Sequence, residues 1–264
     1  MDKDFITKYK IAHRGGFYDN INMAEQCLKV FELAAQRGYA LEMDTQFLQD
    51  GNIAIFHHAT MDSKRLIGKE LNIRKLTAEQ LKQIKLVTGE TIPTLSEVLQ
   101  LVNGKVPLLI EIKTDRKTIS KQCETIVNAL KNYKGDFAIQ TFDFRALKWL
   151  KQNAPEIKRG LLVSPWSKHS TQAMYRPKTA FIRYVTRNMW FAKSVTPHFI
   201  SYEADFLPSK KLKKLFPDIP VLGWVISNTE QYKKAAPYMD NIIFEHFIPD
   251  PKIKMGEKNS ETTL

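Results

Sequence analysis

Short apolar runs alternate with segments of helical periodicity along most of the chain, and this alternation restricts the fold more than any other feature. We predict strands at nine apolar runs, which lie at residues 9–12, 39–44, 53–56, 106–110, 137–140, 160–163, 199–202, 221–226 and 241–244. We predict helices between them at residues 25–36, 121–130 and 145–152. Thr77 and Thr94 each begin a capping-box pattern, which marks the start of a helix. Strands that alternate with helices are typical of a largely parallel sheet.

The length of 264 residues fits a single α/β barrel, a fold of roughly 250 residues. No linker rich in Pro, Gly or Ser and no internal repeat divides the chain. We therefore predict one domain over residues 1–264 with the fold of a TIM (β/α)8-type barrel. Nine strands exceed the eight of such a barrel, so one of them is expected outside it. The link between Asp44 and Ile53 is also too short for a crossover helix.

Four of the apolar runs end in charged side chains or imidazoles. The residues at these ends are His13 and Arg14, then Glu42 and Asp44, then His57 and His58, and finally Glu111 and Lys113. Alternate residues of a strand point to the same face, so the members of the second pair converge, as do those of the fourth. A parallel barrel builds its active site at the carboxyl ends of its strands. We therefore predict that these side chains share one site at that end of a barrel.

Three of these residues are carboxylates that suit a metal ion. Glu42, Asp44 and Glu111 can offer ligands to one Ca2+ or Mg2+ ion, because both ions prefer oxygen. Zinc favours nitrogen and sulfur in most sites and is a poorer match. In the alternative interpretation, the acids form buried ion pairs with Arg14 and Lys113 and hold no metal.

Several motifs, taken in order, resemble those of the glycerophosphodiester phosphodiesterase family over nearly the whole chain. The residues that carry the resemblance are Ala12-His13-Arg14-Gly15, Ala24-Glu25-Gln26-Cys27, Leu41-Glu42-Met43-Asp44, Phe56-His57, Ile92-Pro93-Thr94-Leu95, Leu109-Ile110-Glu111-Ile112-Lys113, Gln140-Thr141-Phe142-Asp143, Trp224 and Ile242-Ile243-Phe244-Glu245. The resemblance implies hydrolysis of glycerophosphodiesters to glycerol 3-phosphate and an alcohol. It further implies that a glycerol hydroxyl attacks phosphorus first and that water then opens a cyclic phosphate.

The resemblance also implies a role for each charged residue. The expected roles are metal binding by Glu42, Asp44 and Glu111, and proton transfer by His13 and His57. An imidazole with a pKa near ~6.5 can act as acid or base at neutral pH. Arg14 would bind phosphate oxygens through its planar fork, and Lys113 would bind them as a point charge. Residues 58–106, after the third strand, would form a small inserted subdomain that caps the site.

Four places depart from the pattern of the family. The usual Pro-Glu-Asn-Ser/Thr stretch is replaced by Ala24-Glu25-Gln26-Cys27, Val225 stands in place of a Thr, and Glu245 stands in place of an Asp. His58 stands where an Asp usually follows the second histidine, and it cannot reproduce the charge of a carboxylate. We expect this change to weaken the orientation of His57 or to alter metal affinity. Because the proposed catalytic and ligand residues remain, we expect activity.

Two further interpretations use the same residues. A lysophospholipase D would act with this site on a phosphodiester that carries one acyl chain, and an apolar groove near the barrel mouth would favour it. A catalytically silent barrel would instead bind polyol phosphates or a membrane surface, and the replacement at His58 is the best support for it.

The formal net charge of +12 agrees with an anionic substrate or an anionic surface. No aromatic stacking motif or helix-turn-helix pattern is present, so we expect no nucleic-acid partner. Residues 165–197 interleave basic and aromatic side chains without any acid. They either pack on the barrel with their basic groups solvated or make a weak contact with a membrane surface. No apolar targeting or membrane segment and only two cysteines are found, so we expect a cytoplasmic protein; nothing indicates its oligomeric state.

Overall fold

A computed structural model of the chain describes residues 5–16, 23–61, 71–165, 192–250, 253, 255 and 256. Its strands are β1 (Ile11–Ala12), β2 (Ala40–Phe47), β3 (Ile53–Ile55), β4 (Thr60–Met61), β5 (Leu71–Asn72), β6 (Leu108–Ile112), β7 (Phe137–Thr141), β8 (Arg159–Val163), β9 (Phe199–Glu203), β10 (Val221–Ile226) and β11 (Asn241–Phe244). Its helices are α1 (Phe5–Lys8), α2 (Leu28–Gln36), α3 (Ala78–Lys82), α4 (Leu95–Val102), α5 (Ile119–Leu130), α6 (Phe144–Asn153), α7 (Ala192–Val195), α8 (Lys210–Leu215) and α9 (Thr229–Ala235). Short 3-10 turns lie at His13–Gly15, Ile73–Lys75, Ala204–Phe206 and Ala236–Tyr238.

Eight parallel strands close into a barrel, which confirms the predicted fold. Strands β2, β6, β7, β8, β9, β10 and β11 pair side by side in this order, and β1 lies between β11 and β2. The seam at β1 is short. Ile11 and Ala12 are the two residues that pair with β2 on one side and with β11 on the other.

The ninth strand, β3, lies outside the barrel and runs antiparallel to β2. Thr45 pairs with Ile55 and Phe47 with Ile53, and a tight turn joins the two strands through a bond from the Leu48 amide to the Asn52 carbonyl. Only an antiparallel partner can follow so short a connection, because a parallel one needs a crossover of a dozen residues. The run at residues 53–56 therefore returns toward the barrel mouth instead of entering the barrel wall.

Helix α2 begins three residues later than predicted, so its predicted start at residue 25 was wrong. Gln26 has a φ of +62°, outside the helical region, and Cys27 is the extended N-cap residue. The side chain of Gln26 bonds to Asp44, and this contact holds the segment before the helix in a non-helical conformation. The two predicted capping boxes are confirmed at Thr77 and Thr94, where the side chain and backbone of each box bond reciprocally.

Residues 58–61 and 71–106 contain a two-stranded sheet (β4 and β5), α3 and α4. A small apolar cluster of their own, with contributions from β3 and the turn before it, is formed by Leu48, Ala54, Phe56, Ile73, Leu81, Leu86 and Ile92. Helix α4 contacts α2 and so takes part in the helix layer around the barrel. The inserted subdomain at 58–106 stays a prediction.

Most of the stretch at residues 165–197 lies outside the described residues, so the two interpretations of it stay open. Its last part forms α7, whose residues Ala192 and Val195 are buried. Among the described residues, no helix is long and apolar enough to cross a membrane.

A substitution at Gly160 on β8 would test the packing inside the barrel. It pairs in register with Phe199, and a Cβ added at Gly160 would lie 2.1 Å from the Phe199 ring. Gly160→Ala is therefore expected to lower the free energy of unfolding by about 2–3 kcal/mol, because overpacking forces the ring or the backbone to move. Thermal unfolding would measure the loss. Gly160→Ala combined with Phe199→Leu should recover part of it, and an unchanged melting temperature for the single variant would contradict the packing described here.

Candidate active site

The first turn after β1 places His13 and Arg14 at the barrel mouth. Arg14 has a φ of +53° and Gly15 a φ of +89°, and the Arg14 amide donates to Glu42 at 3.2 Å. A Cβ on Gly15 would lie 2.6 Å from Val30, so only glycine fits between the turn and α2. The local backbone thus turns the two side chains toward β2 immediately after the strand ends.

Glu42, Asp44 and Glu111 come together as predicted from their positions at the ends of two strands. Asp44 and Glu111 are partners in the β2–β6 ladder, and one oxygen from each of the three carboxylates lies within 4.8 Å of the others. All three residues are buried. Three buried oxygen donors in this arrangement match the ligands that a hard divalent cation prefers.

Two basic side chains lie among the three carboxylates. Arg14 Nε lies 2.9 Å from Asp44 Oδ2, and its Nη1 lies 2.8 Å from Glu25 Oε2. Lys113 Nζ lies 2.9 Å from Asp44 Oδ1 and 2.6 Å from Glu111 Oε1. The predicted convergence of Glu111 and Lys113 is therefore present, and so are the ion pairs of the alternative interpretation. The contacts of Arg14 and Lys113 with these acids are compatible with a cation beside the carboxylates, since each carboxylate has more than one acceptor position.

The cluster carries more negative than positive charge, and its pKa values reflect this. Burial, followed by the charges of Asp44 and Glu111, raises the pKa of Glu42 well above its usual range. Burial also raises the pKa of Glu111 to about 7, although Lys113 opposes the shift. Burial by itself would also raise the pKa of Asp44, but the charges of Lys113 and Arg14 outweigh this effect and lower the pKa of that carboxyl. If all three carboxylates are ionised, they exceed the two basic groups by one negative charge in a buried place, and a bound cation would neutralise it and favour the ionised forms.

His13 makes a contact that the sequence did not assign. Its Nδ1 lies 2.5 Å from Glu245 Oε2, and its Nε2 lies 3.9 Å from Glu42 Oε2. A carboxylate accepts, so Nδ1 carries the hydrogen and Nε2 faces the carboxylate cluster. Burial lowers the pKa of His13, and Arg14 lowers it further, while the bond to Glu245 raises it.

His57 reaches the site from β3 and is held on two sides. Its Nδ1 lies 3.0 Å from His58 Nε2, and the two rings meet edge to face. Its carbonyl accepts from Gln46 at 2.8 Å, and Arg74 donates to Gln46 at 2.7 Å. Burial lowers the pKa of His57, which leaves the ring neutral near pH 7. An imidazole, that of His58, thus contacts His57 at the position where the resemblance leads us to expect a carboxylate.

Other contacts support the site without having been predicted. Gln26 Nε2 donates to Asp44 Oδ2 at 2.9 Å, and Gln26 Oε1 accepts from the Asp44 amide at 2.7 Å. This residue was visible in the sequence as a departure from the family motif, and Glu245 was visible in the same way. Arg74 carried no signal, because it lies in the chain between β5 and α3 and meets Gln46 and the Lys113 carbonyl only through the fold.

The bond between His13 and Glu245 predicts the effect of a single substitution. Glu245→Gln is expected to lower kcat by about a hundredfold with little change in KM, because it removes the charge that orients and stabilises a protonated His13. Steady-state kinetics would measure the change. Glu245→Asp, which restores the family's residue and keeps the charge, should retain most of the activity. Equal activity of Glu245→Gln and the native protein would show that this bond has no part in the reaction.

Comparison with known proteins gives one consistent result. Residues 13–195 match the Glycerophosphoryl diester phosphodiesterase family. A glycerophosphodiester phosphodiesterase of Caldanaerobacter subterraneus subsp. tengcongensis is 33% identical, over a stretch that covers 59% of this chain and 69% of that protein. A solved phosphodiesterase from Oleispira antarctica, in complex with the product sn-glycerol-3-phosphate, covers 92% of this chain and 96% of its own, with 21% identity and a TM-score of 0.72. A glycerophosphodiester phosphodiesterase structure from Thermotoga maritima covers 90% and 95%, with 22% identity and a TM-score of 0.66. At these identities, the two structures show the likeness of fold.

Proposed function

Because the chain belongs to the glycerophosphoryl diester phosphodiesterase family, a family of hydrolases, we propose that it hydrolyses glycerophosphodiesters to glycerol 3-phosphate and an alcohol with the help of one divalent cation. The observation that carries the proposal is the buried cluster of Glu42, Asp44 and Glu111 next to His13. The glycerol 3-phosphate held by the Oleispira antarctica phosphodiesterase supports the choice of substrate.

The carboxylates would hold Ca2+ or Mg2+, and the neighbouring basic groups would hold the phosphate. When bound, the cation supplies charge neutralisation and polarises phosphodiester oxygens. Arg14 and Lys113 now pair with acids of the cluster. A cation that takes up part of this negative charge would leave them better able to bind phosphate oxygens, Arg14 through its fork and Lys113 as a point charge.

Burial lowers the pKa of both histidines, so their roles are proposed from their neighbours. At His13 the carboxylate of Glu245 opposes this shift and favours the protonated form, so His13 would be the acid that protonates the departing alcohol. His57 has no carboxylate at its Nδ1, which contacts His58, and its lowered pKa keeps it neutral, so His57 would be the base that takes the proton from the attacking glycerol hydroxyl. In the second step, when water opens the cyclic phosphate, the two roles would be exchanged.

Two further proposals concern the cellular compartment of the protein and its contact with membranes. Cys27 and Cys123 are free and buried, which agrees with a reducing compartment such as the cytoplasm. A weak membrane contact through residues 165–197 stays a prediction.

A coupled assay for glycerol 3-phosphate tests the proposal directly. The purified protein would receive glycerophosphocholine and glycerophosphoethanolamine, with and without EDTA, and Ca2+ or Mg2+ would then be added back. We expect EDTA to abolish the release of glycerol 3-phosphate and one of the cations to restore it. Activity that survives EDTA would refute the metal dependence. Release from lysophospholipids alone would favour a lysophospholipase D, and no release from any diester would favour a silent barrel.

A further inference from the structure

The inward face of the barrel mouth has a second half that the reaction chemistry does not use. It lies at the carboxyl ends of β7 to β10, and its inward residues are Phe142, Ser164, Glu203 and Trp224. Ser201 on β9 bonds to Gln140 on β7 across the intervening strand, so both side chains must point into the barrel. Glu203 follows Ser201 by two residues on the same strand and therefore points inward too.

The strand order places Glu203 opposite the carboxylate cluster. In the closed ring, β9 is four strands from β2 in either direction. Eight strands about 4.8 Å apart and tilted by about 36° enclose a ring about 15 Å across between opposite backbones.

Glu203 is a half-buried carboxylate that has no basic partner in the part of the chain that the structure describes. The Ser164 hydroxyl donates a short hydrogen bond to it, and no basic side chain among the described residues forms an ion pair with it. Burial raises the pKa of Glu203, and the charge of Asp205 adds to this shift. In a chain with a net charge of +12, a carboxylate held in this way is open to a cation brought by a ligand.

Two aromatic rings lie next to this carboxylate. Trp224 pairs in register with Glu203, and the Phe142 ring packs edge to face on Trp224 with 5.7 Å between the ring centroids. Trp224 is 8% exposed, and its indole Nε1 is buried without a hydrogen-bond partner. A buried N–H without an acceptor is costly, and an ammonium group cannot accept from it. The ligand would therefore place its ammonium group on the face of the ring and could offer the indole N–H only a phosphodiester oxygen.

We propose that Glu203, Trp224 and Phe142 form a subsite for the ammonium group of the substrate's alcohol. The proposal rests on the proposed function and narrows the substrate to zwitterionic glycerophosphodiesters, such as those of ethanolamine and choline. Such a substrate has a negative phosphate at one end and a positive amine at the other. The basic groups of the phosphate site and the carboxylate across the mouth match these two charges, and aromatic faces attract a desolvated ammonium group.

Substrate selectivity tests this subsite. The values of kcat/KM would be measured for glycerophosphoethanolamine, glycerophosphocholine and the neutral-alcohol substrate glycerophosphoglycerol. Glu203→Gln keeps the shape of the side chain and an acceptor for Ser164 but removes the charge. We expect it to lower kcat/KM about tenfold for the two ammonium substrates and to leave glycerophosphoglycerol within about twofold. The control, Asp218→Asn, removes an exposed charge before β10 begins, at the end of the barrel opposite the mouth, and should change none of the three values.

Two results of the kinetic test would overturn the proposal. An equal loss for all three substrates would mean that Glu203 contacts the glycerol moiety common to them or supports the fold. No loss for the ammonium substrates would mean that the carboxylate does not contact the amine.

A binding experiment separates this proposal from the proposed function, because it needs no turnover. Phosphoethanolamine and ethyl phosphate differ only in the ammonium group, and their affinities for the cation-loaded protein can be measured by calorimetry. We expect the native protein to prefer phosphoethanolamine about tenfold and Glu203→Gln to lose this preference. Equal affinities in the native protein would overturn the subsite even if diesters are cleaved. A clear preference in a protein that cleaves no diester would uphold the subsite and refute the proposed function.

Discussion

Glu42→Gln is expected to lower the rate of glycerol 3-phosphate release by about a thousandfold or more. The substitution removes one of three buried carboxylates that we propose as ligands, and the charge stabilisation by a bound metal contributes several kcal/mol to such a reaction. Calorimetric titration with Ca2+ and Mg2+ should show a matching loss of cation affinity. Glu32→Gln, which changes an exposed glutamate on α2, is the control and should behave as the native protein.

The stability of the same variant separates a functional loss from misfolding. In EDTA at pH 7, Glu42→Gln should unfold at the same temperature as the native protein or higher. The reason is that folding raises the pKa of the Glu42 carboxyl, so the ionised carboxylate is unfavourable in the folded state and its loss costs no stability. A group with a raised folded pKa stabilises the fold at low pH and loses this contribution as the pH rises through the folded pKa. For Glu111 this contribution to stability is lost between pH 4.5 and about pH 7. A clearly lower melting temperature for Glu42→Gln would show that the carboxylate has a structural role.

His57→Asn should have the second largest effect, a fall in kcat of about a thousandfold with a change in cation affinity of no more than about threefold. Asparagine cannot exchange a proton near neutral pH, and proton transfer by a positioned side chain contributes about 10²–10⁴-fold. His57 lies outside the group of three carboxylates, so its loss leaves the proposed ligands in place. Kinetics and calorimetry on one preparation would measure both quantities. A parallel loss of cation affinity would contradict the role of base and would place His57 among the ligands.

Variants of His58 provide the matched comparison for His57. His58→Ala removes the ring that lies 3.0 Å from His57 Nδ1, so a fall of about tenfold in kcat is expected from poorer orientation. His58→Gln can place an amide group near the former Nε2 and should lose less. Side-chain ¹⁵N shifts of His57 would report whether its tautomer becomes mixed in the alanine variant, which a merely structural defect would not produce.

The barrel could be predicted from the sequence because each of its features is local. Apolar runs such as the one at Leu108–Ile112 specify strands, and the capping boxes at Thr77 and Thr94 specify helix starts within four residues. The position of Glu42 and Asp44 two residues apart on one strand was enough to predict that they converge.

The remaining features depend on contacts that no local pattern encodes. The short link before β3 excluded a crossover helix, but no local pattern showed that β3 pairs with β2 in the register that delivers His57 to the barrel mouth. The start of α2 depends on the bond between Gln26 and Asp44. The pair formed by His13 and Glu245 joins the first and last barrel strands, which are 232 residues apart in the chain. In each case, a contact between residues distant in the chain determines a local structure that the sequence pattern does not specify.

The seam at β1 links the closure of the barrel to the state of its mouth. The two residues of this strand form all of the pairs that join β11 to β2, whereas β2 and β6 share five. Local opening is cheapest where few backbone bonds must break, so the amides along this seam should exchange with solvent sooner than those of β2 or β6. The Arg14 amide, directly after the seam, donates to Glu42. A ligand that fixes Glu42 would therefore also stabilise the pairing of β1 with its neighbours. Slower hydrogen exchange of the amides at the seam would then show that the barrel mouth is occupied.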